Sequence, residues 1–306
     1  MLALGGATAV VAANTTVRVV RNATEIDHFD VDAPVEWLEV APDGGSAIVY
    51  AMRGRRAWYW RVGAGLRVMA TSTGTRDRFG CGFAVVNGEV ITLLAQNGAL
   101  SGFADSGREL FKANTRSPHS FYPRSFVQLP GGRLALAGSF FSDVMDTVVT
   151  VPINLLIKDP EAVQQAIRTR QPIWDRAVDL TVGPCEPDAA VALRDPEDNE
   201  VPEDEEDIEE LGDVGNFAGV YLRNLDTGAL IERHSYNGAA GSGAPIVATT
   251  DLIAVQVAGG IDIIRRGSGD VREIRYTAAA LDVFALQAAW VEKNGHIKIV
   301  PISELI

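Results

Sequence analysis

The chain has 306 residues, of which 47% are hydrophobic and 22% are charged, as in an ordinary globular protein. Two cysteines, Cys81 and Cys185, are too few for a disulfide framework and show no metal-binding spacing, so we expect free thiols in a reducing compartment. No apolar run reaches the roughly 18 residues that a membrane-spanning helix requires. These features exclude a disulfide-rich secreted domain and predict a soluble, intracellular protein.

The net charge of −13 comes from one segment of the chain. Of the 40 acidic residues, twelve lie between Asp195 and Asp213, where no basic residue occurs. The remaining 28 acidic residues are matched by 27 basic ones, so the rest of the chain is nearly neutral. This balance predicts no broad basic surface, which argues against binding to nucleic acid.

The first thirteen residues are apolar, and the sequence favours strands over a secretory signal there. No lysine or arginine precedes Arg18, whereas a secretory signal begins with a charged region. The runs ATAVVAAN, TVRVVRN and TEIDHFDV follow one another and are rich in Val, Thr and Ile, as strands are. They predict three strands of a first sheet.

Residues 35–72 predict a complete four-stranded meander. Glycine-containing turns separate its strand-forming runs, which are VEWLEV, SAIVYAM, AWYWRV and LRVMAT. A similar unit follows, in which Asn87-Gly88 and Asn97-Gly98 mark hairpins because Asn and Gly accept the positive φ of a type I′ turn. One meander cannot bury both of its faces, so these units require neighbours of the same kind.

The fourth unit ends in a predicted helix at residues 160–170. Asp159 supplies an N-cap, Pro160 fits the first helical position, and Glu161 complements the dipole of the first turn. We expect the apolar face of this helix to pack on the sheets, and a partner-binding helix is the alternative. The apolar face consists of Ala162, Val163, Ala166 and Ile167.

Further strand-forming runs complete seven units, and the last unit shows only three strands. The mean of about 44 residues per unit matches the spacing of propeller repeats. The predicted blades cover residues 1–34, 35–74, 76–115, 118–158, 175–238, 242–278 and 279–306, with a helical excursion at 159–171 and an acidic insertion at 195–214.

Three motifs resemble those of the β-propeller superfamily, in particular WD-repeat and quinoprotein-like propellers. APDGGSAIVYA and LPGGRLALAGSF resemble the "SPDG" turn that precedes an inner strand, and YLRNLDTGALIERH resembles an outer strand pair with its "D-x-x-TG" turn. The Gly-His and Trp-Asp dipeptides of true WD repeats do not recur from unit to unit. The resemblance implies an all-β, seven-bladed β-propeller of four-stranded antiparallel meanders in one domain, and it implies a platform for protein partners without an enzymatic activity.

An incomplete last blade would leave sheet edges unpaired. Propellers usually close by combining strands from both ends of the chain in one sheet. We therefore expect an N-terminal strand to pair with the C-terminal run HIKIVPI or its neighbour.

The sequence contains no signature of catalysis, metal binding or nucleotide binding. G-x-G-x-x-G, G-x-x-x-x-G-K-[ST] and H-E-x-x-H are all missing, so we expect no cofactor. A propeller enzyme, a hydrolase or oxidoreductase with a metal or acid cluster in the central channel, remains the alternative. The histidines lie in separate units without metal-ligand spacing: His28, His119, His234 and His296.

Two surface features are candidate contact sites for a protein partner. The first is a basic and aromatic cluster at a hairpin, since Arg and Trp are favoured at interface hot spots; burial of the aromatic residues in the core is the alternative. It contains Arg53, Arg55, Arg56, Trp58, Trp60 and Arg61. The second is the acidic insertion, whose charge would recruit a basic partner, with a solvated loop as the alternative. Its central acidic residues are Glu203, Asp204, Glu205, Glu206, Asp207, Glu209 and Glu210.

The sequence therefore predicts a non-catalytic interaction platform or a scaffold subunit of a larger assembly. It predicts a protein partner, and no nucleic acid or membrane.

Overall fold

The computed structural model describes residues 1–51, 56–71, 80–96, 98–115, 121–140, 146–169, 174–177, 181–185, 189–194, 219–236 and 245–305. Within these ranges the fold is all-β, built mainly from four-stranded antiparallel meanders. No helix in the described part is long and apolar enough to cross a bilayer.

The first three sheets are separate meanders in which each strand pairs with its neighbour in sequence. The predicted meander at residues 35–72 is confirmed, and so is the unit that follows it. The strands are β1 (Leu2–Gly5), β2 (Thr8–Ala13), β3 (Thr16–Arg21) and β4 (Thr24–Asp30); β5 (Val35–Val40), β6 (Ser46–Ala51), β7 (Arg56–Arg61) and β8 (Gly65–Thr71); β9 (Gly80–Val86), β10 (Glu89–Gln96), β11 (Ala99–Ala104) and β12 (Glu109–Asn114).

The second half of the chain forms another four-stranded sheet, an eight-stranded sheet and a three-stranded sheet in the described residues. The eight-stranded sheet consists of two meanders, which one parallel pair between Cys185 and Ala248 joins. The strands are β13 (Phe121–Leu129), β14 (Arg133–Phe140), β15 (Asp146–Pro152) and β16 (Trp174–Ala177); β17 (Thr181–Cys185), β18 (Ala189–Arg194), β19 (Gly219–Asn224) and β20 (Leu230–Ser235), then β21 (Ile246–Ala248), β22 (Leu252–Val257), β23 (Gly260–Arg265) and β24 (Val271–Arg275); β25 (Ala279–Asp282), β26 (Gln287–Val291) and β27 (Ile297–Pro301).

The meanders pack face to face, and a hydrophobic cluster lies between each meander and the next. Between the first two sheets, for example, Val10 and Val19 meet Val49 and Trp60. Burial is greatest in the second and third strands, such as β6, and least in outer strands such as β24. This gradient is typical of blades arranged around an axis, with the first strand of each blade innermost.

The inner strands β17 and β21 approach each other unusually closely. A Cβ atom built on Gly183 in β17 would lie 1.6 Å from the carbonyl oxygen of Ile246 in β21. Only glycine fits there, because the obstructing atoms belong to the backbone. The parallel pairing of the two meanders therefore depends on Gly183.

The helical excursion begins earlier than predicted. Helix α1 (Ile153–Lys158) directly follows β15 and was not predicted, whereas α2 (Ala162–Thr169) matches the predicted helix. α2 begins at Ala162, two residues later than predicted, and Asp159 is the C-cap residue of α1. The Oδ1 of Asp159 accepts a hydrogen bond from the amide of Glu161, just before α2, at 3.1 Å. The apolar face of α2 packs on the cluster between the third and fourth sheets, with Val163 and Ile167 fully buried.

The predicted strand exchange between the two ends of the chain is wrong. Residues 1–13 form β1 and β2, and β1 pairs with β2 in the first sheet. The last sheet contains β25, β26 and β27 in the described part of the chain. The first and last sheets instead meet through their faces, where Leu2, Leu4 and Ala9 pack against Ala280 and Ala289.

The carboxylate of one residue, Asp282, stabilises this contact between the first and last sheets through hydrogen bonds. Asp282 is 3% exposed, and its Oδ2 accepts a hydrogen bond from the amide of Gly6 at 2.7 Å. Its Oδ1 accepts from the amides of Phe284 and Ala285 at 2.9 and 3.0 Å. Asp282 thus links the turn after β1 to the turn after β25.

We expect Asp282→Ala to lower the free energy of unfolding by about 3 kcal/mol, because three amides lose an acceptor in a largely buried site. Chemical denaturation followed by tryptophan fluorescence would measure the change. The control is Asp270→Ala, which removes an exposed carboxylate and should change stability by less than about 0.5 kcal/mol. Equal stability of the two variants would contradict the role of Asp282.

Candidate functional site

The predicted basic and aromatic cluster is only partly described, since Arg53 and Arg55 lie outside the described residues. Trp58 and Trp60 are buried between the first two sheets, 5% and 1% exposed, and Trp60 Nε1 donates a hydrogen bond to Asp27 at 2.7 Å. Both indole rings are therefore core residues, as the alternative interpretation expected.

The two described arginines of this cluster connect neighbouring parts of the fold. Arg56 forms an ion pair with Asp32 and stacks over the Trp58 ring at 5.3 Å. Arg61 forms an ion pair with Asp105, which follows β11 in the next sheet. Contact of Arg56 and Arg61 with a partner protein stays a prediction.

The other predicted features contribute little to a site in the described residues. The acidic insertion, including Glu203 to Glu210, and His119 lie outside them. His28 and His296 are exposed, and His234 is buried. The described residues contain no group of three His, Cys, Asp or Glu side chains placed to hold a metal ion.

Glu39 was not singled out from the sequence, and its carboxyl group lies inside the interface between the second and third sheets. It sits on the inner strand β5 next to Trp37 and Ala41, which pack in one cluster with Cys81 and Phe83. Its Oε2 is buried and has no hydrogen-bond partner, although the residue as a whole is partly exposed. A buried carboxyl group without a partner is costly to ionise.

Burial raises the pKa of Glu39 to about 8, so the group is protonated at neutral pH. Gly82 in the next inner strand lies beside it. A Cβ atom on Gly82 in β9 would lie 3.6 Å from Glu39 Oε2 and 3.2 Å from the Cβ of Phe126 in β13. Glu39 therefore lies where three consecutive inner strands converge.

Two further titratable groups lie near Glu39. The Tyr50 hydroxyl and the Cys81 thiol are hydrogen-bonded to each other, and burial raises the pKa of each. Cys81 is 3% exposed and Cys185 is 2% exposed, in different sheets. A buried thiol with a raised pKa is a poor nucleophile, so Cys81 is a packing residue.

An open cleft of about 670 Å³ lies at the outer rim of the eight-stranded sheet. One wall comes from β20, and the other comes from the turns after β21 and β23. The lining residues are Glu232, Thr250, Asp251, Arg265, Arg266 and Gly267.

Glu232 is a charged lining residue of this cleft, and two neighbouring side chains hold its carboxylate. Its Oε2 accepts a hydrogen bond from Arg266 Nε at 2.8 Å, and its Oε1 lies 2.5 Å from His234 Nε2. Arg266 is held in turn by a hydrogen bond from Nη1 to the carbonyl of Thr249 at 2.8 Å. Burial opposes ionisation of Glu232, but the hydrogen bonds from Arg266 and His234 outweigh it, so the pKa is lowered.

The outer strands β20 and β24 carry exposed apolar side chains. Leu230 and Ile231 in β20 are 38% and 53% exposed, and Val271 in β24 is 45% exposed. Ile231 is the extra residue of a β-bulge, because Glu232 pairs with Leu222 while Leu230 pairs with the next residue of β19. The bulge therefore leaves the apolar side chain of Ile231 exposed, next to Glu232 in the sequence.

Comparison with known proteins identifies the fold. No protein-family model matches the chain, and no curated protein matches it in sequence. Among solved structures, a chain of Kuenenia stuttgartiensis hydrazine synthase is similar, with a TM-score of 0.58 and 11% identity over 98% of this chain and 94% of that chain. At this identity the similarity shows the fold only. In total, 943 solved chains match this structure. The similarity to hydrazine synthase and the meander topology together show a β-propeller fold.

Proposed function

We propose that the protein is a seven-bladed β-propeller that serves inside the cell as a non-catalytic platform for protein partners. Two observations support the number of blades. The halves of the eight-stranded sheet are separate meanders joined by one residue pair, so they count as two blades. The three-stranded sheet counts as the last blade.

The observation that carries the platform function is the rim cleft beside β20. It contains a fixed ion pair between Glu232 and Arg266 and the exposed residue Arg265, and the exposed Ile231 precedes Glu232 in β20. Protein interfaces typically place apolar anchors beside arginine and a polar rim. The cleft is also open and shallow, as a surface for a folded partner is.

The sites predicted from sequence remain part of this proposal. The acidic insertion would attract a basic partner, and this attraction should weaken with salt. Arg56 and Arg61 already hold Asp32 and Asp105, so a partner would compete with these ion pairs. For this reason we favour the cleft as the main contact.

Affinity purification with quantitative mass spectrometry tests the platform function. We expect Arg265→Glu, which reverses a charge in the cleft, to reduce recovery of specific partners at least tenfold. Val68→Asp is the control, because Val68 is 51% exposed on β8, the outer strand of another blade. A third version replaces residues 195–213 with a Gly/Ser linker. Identical partner lists for all versions would contradict the proposal.

The alternative, a propeller enzyme with an acid in the central channel, draws support from Glu39. A carboxyl group with a pKa near 8 suits a general acid at neutral pH. However, its Oε2 is buried between the second and third blades, out of contact with solvent and therefore with a substrate. We therefore favour the platform.

A further inference from the structure

Among the residues that the structure describes, the last sheet has three strands, whereas each of the other meanders has four. β4, β8, β12, β16, β20 and β24 each pair with the third strand of their own meander. β27 is the third strand of the last meander, and no described strand pairs with its outer side. Unpaired edge strands bind extended peptides by adding a strand to the sheet.

The backbone groups that point to this edge follow from the hydrogen bonds of β27. The amide of Glu292 donates to His296, and the amide of Ile302 donates to Leu286, so the even-numbered residues of β27 bond to β26. In an antiparallel pair the bonded residues alternate, so Ile297 and Ile299 direct their amides and carbonyls outward. Pro301 directs only a carbonyl outward, as suits an edge strand.

The two faces of β27 differ in chemistry at this edge. Ile297 packs with the cluster that joins the last blade to the first, and Ile299 on the same face is 37% exposed. Lys298 lies on the opposite face, where its ammonium group is 5.4 Å from the centre of the Trp290 ring. A strand added beside β27 would place its side chains alternately next to an isoleucine and next to a lysine.

We propose that β27 binds an extended segment of a partner protein in which apolar and acidic residues alternate, and that this segment becomes the fourth strand of the last blade. The segment runs antiparallel to β27. Its apolar residues lie beside Ile299 and its acidic residues beside Lys298. This inference rests on the proposed platform function and adds a second contact site to it.

In this pairing, the residues of the segment that share the face of Ile299 are also the ones whose backbone bonds to β27. The residue opposite Ile299 exchanges backbone hydrogen bonds with it and shares its face, so the apolar residues of the segment are the ones that bond to β27. The acidic residues direct their amides away from β27. Backbone methylation can therefore block one set of amides without changing the side chains.

The test uses a fluorescent, N-acetylated seven-residue peptide of alternating valine and glutamate, with binding to the purified full chain measured by anisotropy. We expect N-methylation of the valines to weaken binding at least tenfold. N-methylation of the glutamates, which gives a matched peptide of the same composition, should change binding less than threefold. Equal effects of the two modifications, or no binding of the unmodified peptide at millimolar concentration, would overturn the proposal.

Two variants of the protein provide an independent test. Ile299→Pro removes an outward amide that β26 does not use, so it should leave the melting temperature nearly unchanged and weaken peptide binding at least tenfold. Lys298→Glu should weaken binding of the glutamate peptide, and a peptide with lysine in place of glutamate should bind this variant well. If the lysine peptide does not bind Lys298→Glu, the proposed contact between Lys298 and acidic residues of the segment is contradicted.

The same variants separate this site from the alternatives. If light scattering shows a dimer that Ile299→Pro abolishes, a second copy of the chain occupies the edge and the proposal fails. Arg265→Glu, which tests the rim cleft, should leave peptide binding unchanged. Loss of partners in that variant with retained peptide binding supports both sites, whereas retained partners would contradict the cleft only.

Discussion

Glu39→Gln is expected to stabilise the protein increasingly as the pH rises from 5 to 8. The pKa of Glu39 is raised from 4.5 to about 8 in the fold, so between these values the folded chain holds a proton that the unfolded chain has lost. Stability therefore falls with rising pH by about 1.4 kcal/mol per pH unit, and the loss is complete above pH 8. Glutamine resembles the protonated acid and removes this dependence.

Across the range from pH 4.5 to 8, the free energy of unfolding of the wild type falls by at most about 5 kcal/mol. Because Glu39 is partly exposed, we expect Glu39→Gln to be more stable than the wild type by about 2–3 kcal/mol at pH 9. Thermal melting at half-unit pH intervals would measure it, as a rise of about 5 °C in Tm. Glu36→Gln is the control, because Glu36 is an exposed neighbour on β5. Parallel Tm profiles for the wild type and Glu39→Gln would contradict the buried-acid assignment.

Gly183→Ala is expected to destabilise the protein by about 3 kcal/mol or more. The added methyl group would lie 1.6 Å from the carbonyl oxygen and 2.6 Å from the carbonyl carbon of Ile246, so β17 and β21 must move apart. Overpacking of this kind typically costs about 1–3 kcal/mol, and more where backbone must shift. The parallel pair between Cys185 and Ala248 should be lost as well.

Urea unfolding would show a lower midpoint for Gly183→Ala. Gly45→Ala is a suitable control, because the nearest atoms to an added Cβ belong to the exposed Asp43 side chain, at 3.1 and 3.2 Å, and moving that side chain affects only its exposed hydrogen bond with the Gly45 amide. If both variants unfold at the same urea concentration, the close approach of β17 and β21 is not a constraint on the fold.

Local sequence was sufficient to predict much of the architecture. The meander from β5 to β8 could be predicted because glycine-containing turns separate its strand-forming runs, and Asn87 and Gly88 adopt the positive φ that their hairpin turn requires. β1 was missed because it has four residues and turns at Gly5-Gly6, directly into β2. That omission led to the wrong expectation for ring closure.

The candidate sites depend on contacts between distant parts of the chain, and local patterns do not contain them. Glu39 appears in the run VEWLEV as one of two glutamates, and a bulge between Val35 and Trp37 changes which face each residue takes. Its carboxyl group lies beside Gly82, more than forty residues later in the chain. Trp60 was predicted as a possible contact residue, but it packs between the first two sheets, where its Nε1 donates to Asp27 of the preceding sheet.

Closure through packed faces, with Asp282 bound to the amide of Gly6, has a consequence for how such a chain can evolve. In the described residues, each meander is built from one uninterrupted stretch of sequence. A gene rearrangement that duplicates, deletes or reorders one stretch therefore moves an entire meander and breaks at most the single residue pair between β17 and β21. Ends created between β4 and β5 would likewise leave every described strand with its partners.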